Sequence, residues 1–221
     1  MLVKLRRAIV VIGMKLKRGV LCKAVVALGL MMVFDACVVP SFGNDWRLLE
    51  NKAERRDVVS YMSGVLGSNR TGLGPHEELK LAKVILAEAI RHEMDPLFVL
   101  ALIKTESTYY NWSKSFAGAL GLMQIRLETG EELAGQLKLQ WNGEETLLDP
   151  YLNVRMGVHY LSSLHKRYND MDFSLAAYNV GPGRLDTGLR QNQDPGRGYV
   201  NKVLNNYKDL KEGAGLYSYE G

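Results

Sequence analysis

Cysteine is nearly absent from this chain: there are two in 221 residues, Cys22 and Cys37. Both lie near the front, so the remainder has no internal disulfide and must take its stability from its core. Metal-ligand spacing is also missing. His92 has no second His or Cys nearby, and His159 and His165 fall on different turns and read as surface, so neither a metal nor any other cofactor is implied. No segment of any length has strand period, and no repeat is present, which leaves a nearly all-α chain. Excess positive charge is lacking too once the front is set aside. The net charge is +4, but residues 1–36 carry Lys4, Arg6, Arg7, Lys15, Lys17, Arg18 and Lys23 against Asp35 alone, a balance of +6, which leaves −2 for the rest. That excludes a basic surface for nucleic acid.

The front of the chain has the layout of an export signal. Met14–Lys23 is basic, Ala24–Phe34 is apolar, and small residues follow. Met14-Lys15-Leu16-Lys17-Arg18 reads better as a start than Met1. Cleaved export is the expectation, with a retained membrane anchor as the alternative; the apolar run falls short of the roughly 20 residues of a spanning helix, though Lys23 could snorkel. Ala36-Cys37 looks like a lipoprotein cleavage site, although Phe34 and Asp35 suit the two preceding positions poorly, and a plain free cysteine is the other reading. The expected location is the periplasm or cell envelope, with membrane attachment through the N-terminus or Cys37 as the alternative to free release. The expected organisation is 1–37 signal or anchor, 38–74 linker and amphipathic helix, 75–212 helical catalytic domain, and 213–221 a frayed tail.

Helical signals fill the rest. Asp45–Leu66 has amphipathic spacing, and 67–74 is a loop by composition. Pro75 opens a helix with Glu77 and Glu78 in its first turn and a core stripe of Leu79, Ala82, Ile85, Leu86, Ala89 and Ile90. Asp95-Pro96 opens another, apolar on every face from Leu97 to Ile103, which marks it as buried. Thr129 and Glu132 form a capping box for a short helix. A polar loop, 135–145, carries Trp141, at a cleft rim or simply packed. Asp149-Pro150 opens a long helix with Val154, Val158, Leu161, Leu164 and Tyr168 facing the core. Asp172 is expected to cap Phe173–Asn179, which Gly181-Pro182-Gly183 stops with glycine in the left-handed position. Residues 185–198 read as loop, and 199–210 as the last helix.

Glu106 lies on the same stripe as Val99, Leu102 and Ile103, so a carboxyl sits on the apolar side of a core helix. Lys104 points elsewhere. Desolvation raises the pKa of such a group, as a general acid near neutral pH requires. A structural network would do the same to a buried Glu. The residues that follow favour chemistry: Ser107, Tyr109, Tyr110, Asn111, Trp112 and Ser115, then Gly118-Ala119-Leu120-Gly121-Leu122-Met123-Gln124-Ile125. Aromatic faces and amides around turn glycines suit a sugar-binding cleft.

Glu106-Ser107, then Ser115 and Gly118-Ala119, then Gly121-Leu122-Met123-Gln124-Ile125 resemble the first motifs of the soluble lytic transglycosylase domain family. The resemblance continues through Leu148-Asp149-Pro150 with Asn153, Gly157, Tyr160 and Leu161. Ala177-Tyr178-Asn179-Val180-Gly181-Pro182-Gly183 and Gly198-Tyr199-Val200 with Val203 follow. It covers roughly 79–207. One departure stands out: after Gln124-Ile125 the family usually has Met-Pro before a Thr, whereas Arg126-Leu127-Glu128 precede Thr129 here, which is expected to alter the entry to the next helix and one wall of a cleft. The resemblance implies an all-α, lysozyme-like fold and cleavage of peptidoglycan glycan strands between N-acetylmuramic acid and N-acetylglucosamine. Most glycosidases use two carboxylates. In this family a single Glu, here Glu106, protonates the glycosidic oxygen and then takes the proton of the sugar's own C6 hydroxyl, closing a 1,6-anhydro ring. Ser115, Met123, Gln124, Tyr178, Asn179 and Tyr199 would line the cleft, and Ser107 would help hold the acid. A hydrolytic muramidase of the goose-lysozyme kind is the first alternative; an inactive peptidoglycan-binding scaffold of a secretion or other wall-spanning machine is the second.

Overall fold

A computed structural model describes residues 52–194 and 196–215. The expectations for the leader, for Cys37, for residues 45–51 and for the end of the tail lie outside them. The described residues form α1 (Lys52–Gly67), α2 (Pro75–Arg91), α3 (Pro96–Ser107), α4 (Leu127–Leu137), α5 (Glu144–Leu148), α6 (Pro150–Tyr168), α7 (Met171–Val180), α8 (Pro182–Arg190) and α9 (Arg197–Gly213). Isolated bridges joining Leu120 to Lys114 and Ile125 are the only extended pairings among them. The class is all-α.

The core is built around α3. Asp95 caps it, accepting from the Leu97 amide at 2.7 Å, and ten of its twelve residues are buried. A helix without a solvent face must be covered on all sides. α9 crosses it and fastens on through polar contacts. Tyr207 donates to Asp95 Oδ2 at 2.6 Å and meets Phe98 edge-on, while Asn206 donates to Thr105 Oγ1 at 2.8 Å. α2 packs on another side, with α1 laid against it through Met62 and Leu66. α6 carries Val154, Val158, Leu161 and Leu164 into the same core.

Several local expectations change. In α2 the buried face is Leu81, Ala82, Ile85 and Ala89, whereas Leu79 is 37 % exposed at its margin. α4 starts at Leu127, with Arg126 in extended conformation as N-cap, so Thr129 and Glu132 lie inside the helix and form no capping box. The loop expected over 135–145 is shorter, since α4 runs to Leu137 and α5 begins at Glu144, and Trp141 packs over Gly130. Asp170, not Asp172, caps α7, accepting from Phe173 N at 2.9 Å; Asp172 pairs instead with Arg197 at 3.0 Å. Residues 185–190, expected to be loop, belong to a helix that starts at Pro182. Gly181 has φ +85° and ψ 143°, which turns the chain sharply without left-handed helical geometry, so Pro182 falls at the first position of α8, where its missing N–H costs nothing. His159 and His165 are half-buried; His159 reaches Gln136 and lies 5.5 Å from the His92 ring.

The turn after α3 is pinned to α6 by Asn153. Its amide donates to Leu120 O at 3.0 Å and Leu147 O at 2.8 Å, and its carbonyl accepts from Met123 N at 2.7 Å. Asn153→Ala removes all three bonds and leaves the buried Met123 N–H unmatched, while Leu120 O keeps the Ile125 amide, so it is expected to destabilise the fold by about 3 kcal/mol in denaturant titration.

Candidate active site

Glu106 ends α3 at the mouth of a cleft of about 630 Å³. Four elements supply its walls. The turn 115–126 gives Ser115, Ala117, Ala119, Gln124, Ile125 and Arg126, and α4 adds Thr129. Tyr160 comes from α6, while the α7–α8 junction gives Tyr178, Asn179, Val180, Gly181, Pro182 and Arg184. The volume suits a small-molecule or oligosaccharide fragment. Glu106 is the only carboxylate lining this cleft among the described residues.

Burial holds the Glu106 carboxyl well above its ordinary range, at about 7. Desolvation is the main cause; a hydrogen bond donated by Tyr199 and the charge of Lys202 partly oppose it. Tyr199 and Lys202 lie one turn apart on α9, so that helix both covers α3 and tunes the acid. Tyr199 donates to Oε1 of Glu106. Tyr178 donates to Met123 O at 2.8 Å and stands 5.3 Å from the Tyr160 ring. Burial raises the hydroxyls of Tyr178 and Tyr199, so both are protonated donors at any working pH.

The turn is rigid. Gly121, at φ +77°, lies against the Asn153 amide and Leu147 O so closely that no Cβ would fit. Gln124, also at positive φ, gives its amide hydrogens to Ser113 O at 3.1 Å and Gly121 O at 2.9 Å, leaving its carbonyl oxygen as the remaining acceptor. Ser115 Oγ accepts from Ala119 N at 3.0 Å. The exposed Asn179 amide has no protein partner among the described residues.

Of the residues singled out in the sequence, Glu106, Ser115, Gln124, Tyr178 and Asn179 line the cleft, and Tyr199 reaches it through Glu106. Two stand elsewhere. Ser107 is buried and donates back to Ile103 O at 3.1 Å, away from the acid. The Met123 side chain is wholly buried against Gly157, and only its carbonyl serves the site, through Tyr178. The aromatic run after Glu106 also departs from the expectation. Thr108 and Tyr109 both take left-handed conformations, sending the chain across the end of α3. Tyr109 is buried in the core, while Tyr110 and Trp112 cover Gly72. None of these rings lines the cleft. The sequence reading missed Tyr160 and Arg184 as lining residues and Lys202 as a tuning charge. Tyr160 stands in the quoted motifs, Arg184 falls between the Gly181-Pro182-Gly183 stop and the expected loop, and Lys202 carries no local signal. A second, shallower groove between α1 and α2, lined by Lys52, Arg55, Arg56 and Lys83 with Val59, Leu79 and Leu86, contains no motif residue.

A buried acid at a helix end and tyrosines holding it and its turn, on an all-helical frame, define a lysozyme-like domain. The chain belongs to the Transglycosylase SLT domain family, whose model matches residues 83–201. The Soluble lytic murein transglycosylase of Escherichia coli (strain K12) is 35 % identical over 99 residues, 44 % of this chain and 15 % of the relative. Membrane-bound lytic murein transglycosylase C of Histophilus somni (strain 2336) is 28 % identical over 172 residues, 71 % of this chain and 46 % of the relative. The chain therefore spans less than half the length of these relatives. Among solved structures, an inactive glutamate-to-glutamine variant of lytic transglycosylase Slt from Pseudomonas aeruginosa superposes with a TM-score of 0.55 at 25 % identity, covering 62 % of this chain and 24 % of that one. The 70 kDa soluble lytic transglycosylase of Escherichia coli superposes with a TM-score of 0.57 at 24 % identity, covering 79 % and 34 %.

The displaced acidity has a stability consequence. Below about pH 4.5 the Glu106 carboxyl is protonated whether the chain is folded or not, and its burial carries no ionisation penalty. Between there and about 7 the unfolded chain ionises while the folded one resists, so stability falls as pH rises and the penalty is complete above 7. Glu106→Gln is therefore expected to be more stable than wild type at pH 8, by up to about 3 kcal/mol, and equal to it near pH 4; thermal unfolding across that range measures the difference.

Proposed function

We propose that this chain is a peptidoglycan lytic transglycosylase, cleaving the β-1,4 bond between N-acetylmuramic acid and N-acetylglucosamine without consuming water. The observation that carries the reading is the solitary, desolvated Glu106 in the cleft. A group with a pKa of about 7 can donate a proton in one step and remove one in the next. Glu106 first protonates the glycosidic oxygen as the bond from the anomeric carbon breaks, and the substrate's 2-acetamido group supports that carbon. The ionised Glu106 then removes the proton of the C6 hydroxyl, whose oxygen bonds to the anomeric carbon and closes the 1,6-anhydro ring. Protonated Glu106 is restored. A hydrolytic muramidase would use a second carboxylate or a held water; among the described residues the cleft has no second carboxylate.

The supporting roles follow from the contacts. Tyr199 orients the carboxyl and steadies its ionised form between the two steps. Tyr178 holds the Met123 carbonyl, and with it the Gln124 turn. The free Gln124 carbonyl and the Asn179 amide are suited to the N-acetyl and peptide groups of the glycan. Residues 75–212 form the catalytic domain in this reading, with α1 laid on it, and the enzyme acts in the cell envelope on exported glycan. The murein transglycosylase names of its relatives, one of them called membrane-bound, support that location.

The test incubates the full-length chain and its Glu106→Gln variant with sacculi and weighs the released muropeptides by mass spectrometry. Anhydro products, one water lighter than hydrolytic ones and lost by at least ~10³-fold in Glu106→Gln, are expected. Hydrated reducing ends would instead establish a muramidase, and binding without release a scaffold. In the pH profile, kcat/KM should fall about tenfold per unit above pH 7, as the free enzyme loses the Glu106 proton. Tyr199→Phe removes a donor that favours the carboxylate, so its alkaline limb should move to higher pH while kcat drops.

A further inference from the structure

We infer that the cleft selects glycan carrying a carboxylate on the lactyl arm of the muramic acid, and that Arg126 and Arg184 read that charge; the inference rests on the transglycosylase reading. Apart from its tyrosines, the cleft's ionisable lining is Glu106, Arg126 and Arg184. With Glu106 near half-ionised at neutral pH, the lining is net positive. The acids around the α7–α8 wall are already engaged: Asp186 by Arg167 and Tyr168, and Asp172 and Asp194 by Arg197. Arg184 has no acidic partner among the described residues. Arg126 reaches only Glu128, at 3.6 Å with both side chains well exposed, a pair of little strength.

Their positions make this more than an ordinary charged rim. Arg126 is the N-cap of α4, and Arg184 lies in the first turn of α8. A helix N-terminus favours acids, and a cation there is locally unfavourable. Two such misplacements facing one cleft are a conflict between local preference and placement, of the kind that functional sites carry. An anionic occupant relieves both at once. A glycan of N-acetylglucosamine alone has no such charge. The muramic acid's lactyl arm does, either as its own carboxylate when the peptide has been removed or through the carboxylates of the stem peptide. Arg126 also stands where the family resemblance fails, so the selectivity belongs to this chain's own wall.

The experiment uses the full-length chain carrying Glu106→Gln, so that ligand stays intact. Titration calorimetry compares three tetrasaccharides: one with free lactyl carboxylates, one with tetrapeptide stems, and the stem-bearing one with its carboxylates amidated. Amidation is expected to weaken binding about tenfold in low salt, with the difference shrinking in about 0.5 M salt. In the added Arg126→Gln/Arg184→Gln background the amidated and native ligands should bind alike, with the thermal midpoint no lower, because both arginines are exposed and a helix N-terminus disfavours a cation. Preference for the first or second ligand identifies lactyl or stem carboxylate as the source. Equal affinity for all three ligands, or a preference for the charged ones that persists without the arginines, overturns the inference. Anhydro-product release by the unsubstituted enzyme, measured alongside, then leaves the transglycosylase reading standing. No binding of any glycan and no release overturns both.

Discussion

A helix with no solvent face sets the terms for the rest of the molecule. α3 has apolar residues all around from Leu97 to Ile103, so it is stable only when other helices wrap it. α2, α6 and α9 do so. The wrapping has a chemical by-product: the last turn of α3 leaves the core at the cleft, and Glu106 sits in that turn, half inside the apolar packing and half at the mouth. The hydrophobic effect that assembles the domain is thus also what holds the carboxyl protonated to about 7. Stability and chemistry are opposed at this residue, and the fold tolerates the ionisation penalty because the remaining core is extensive.

α9 shows how one element serves both ends of that arrangement. Its Tyr207 and Asn206 fasten it to α3. Its Tyr199 and Lys202 moderate the acidity that burial creates. A displaced α9 would therefore alter the core and the acid together. Opposite it, Asn153 fixes the glycine turn with three buried hydrogen bonds, so the wall bearing Ser115 and Gln124 is held from α6 rather than by contacts within the turn alone.

The two places where the described structure departs most from sequence logic bear on the cleft. Residues 182–190 have the glycine and proline of a terminator, yet Pro182 initiates α8 because a sharp turn at Gly181 puts it at the first helical position. That turns an expected helix stop, and the start of the expected loop after it, into a helical wall carrying Arg184. The aromatic run after Glu106 has the composition of a sugar site, yet it crosses the end of α3 and packs on Gly72 and the core. Composition alone cannot separate rings that meet a ligand from rings that cover a neighbouring loop.

Local patterns were enough for α3, its Asp95-Pro96 start, the long α6 and the desolvated Glu106, because each follows from the spacing of apolar residues and a cap within a few residues of chain. The family motifs likewise pointed to Ser115, Gln124, Tyr178 and Asn179 before any geometry was known. The same motifs named Tyr199; only the tertiary structure decided that its hydroxyl donates to Glu106, that the charge of Lys202, 96 residues downstream, bears on that carboxyl, that Met123 serves through its carbonyl, and that Arg126 and Arg184 share one cleft. Such pairings depend on how helices cross, and helix crossing is settled by the packing of whole faces, which no short stretch of sequence contains.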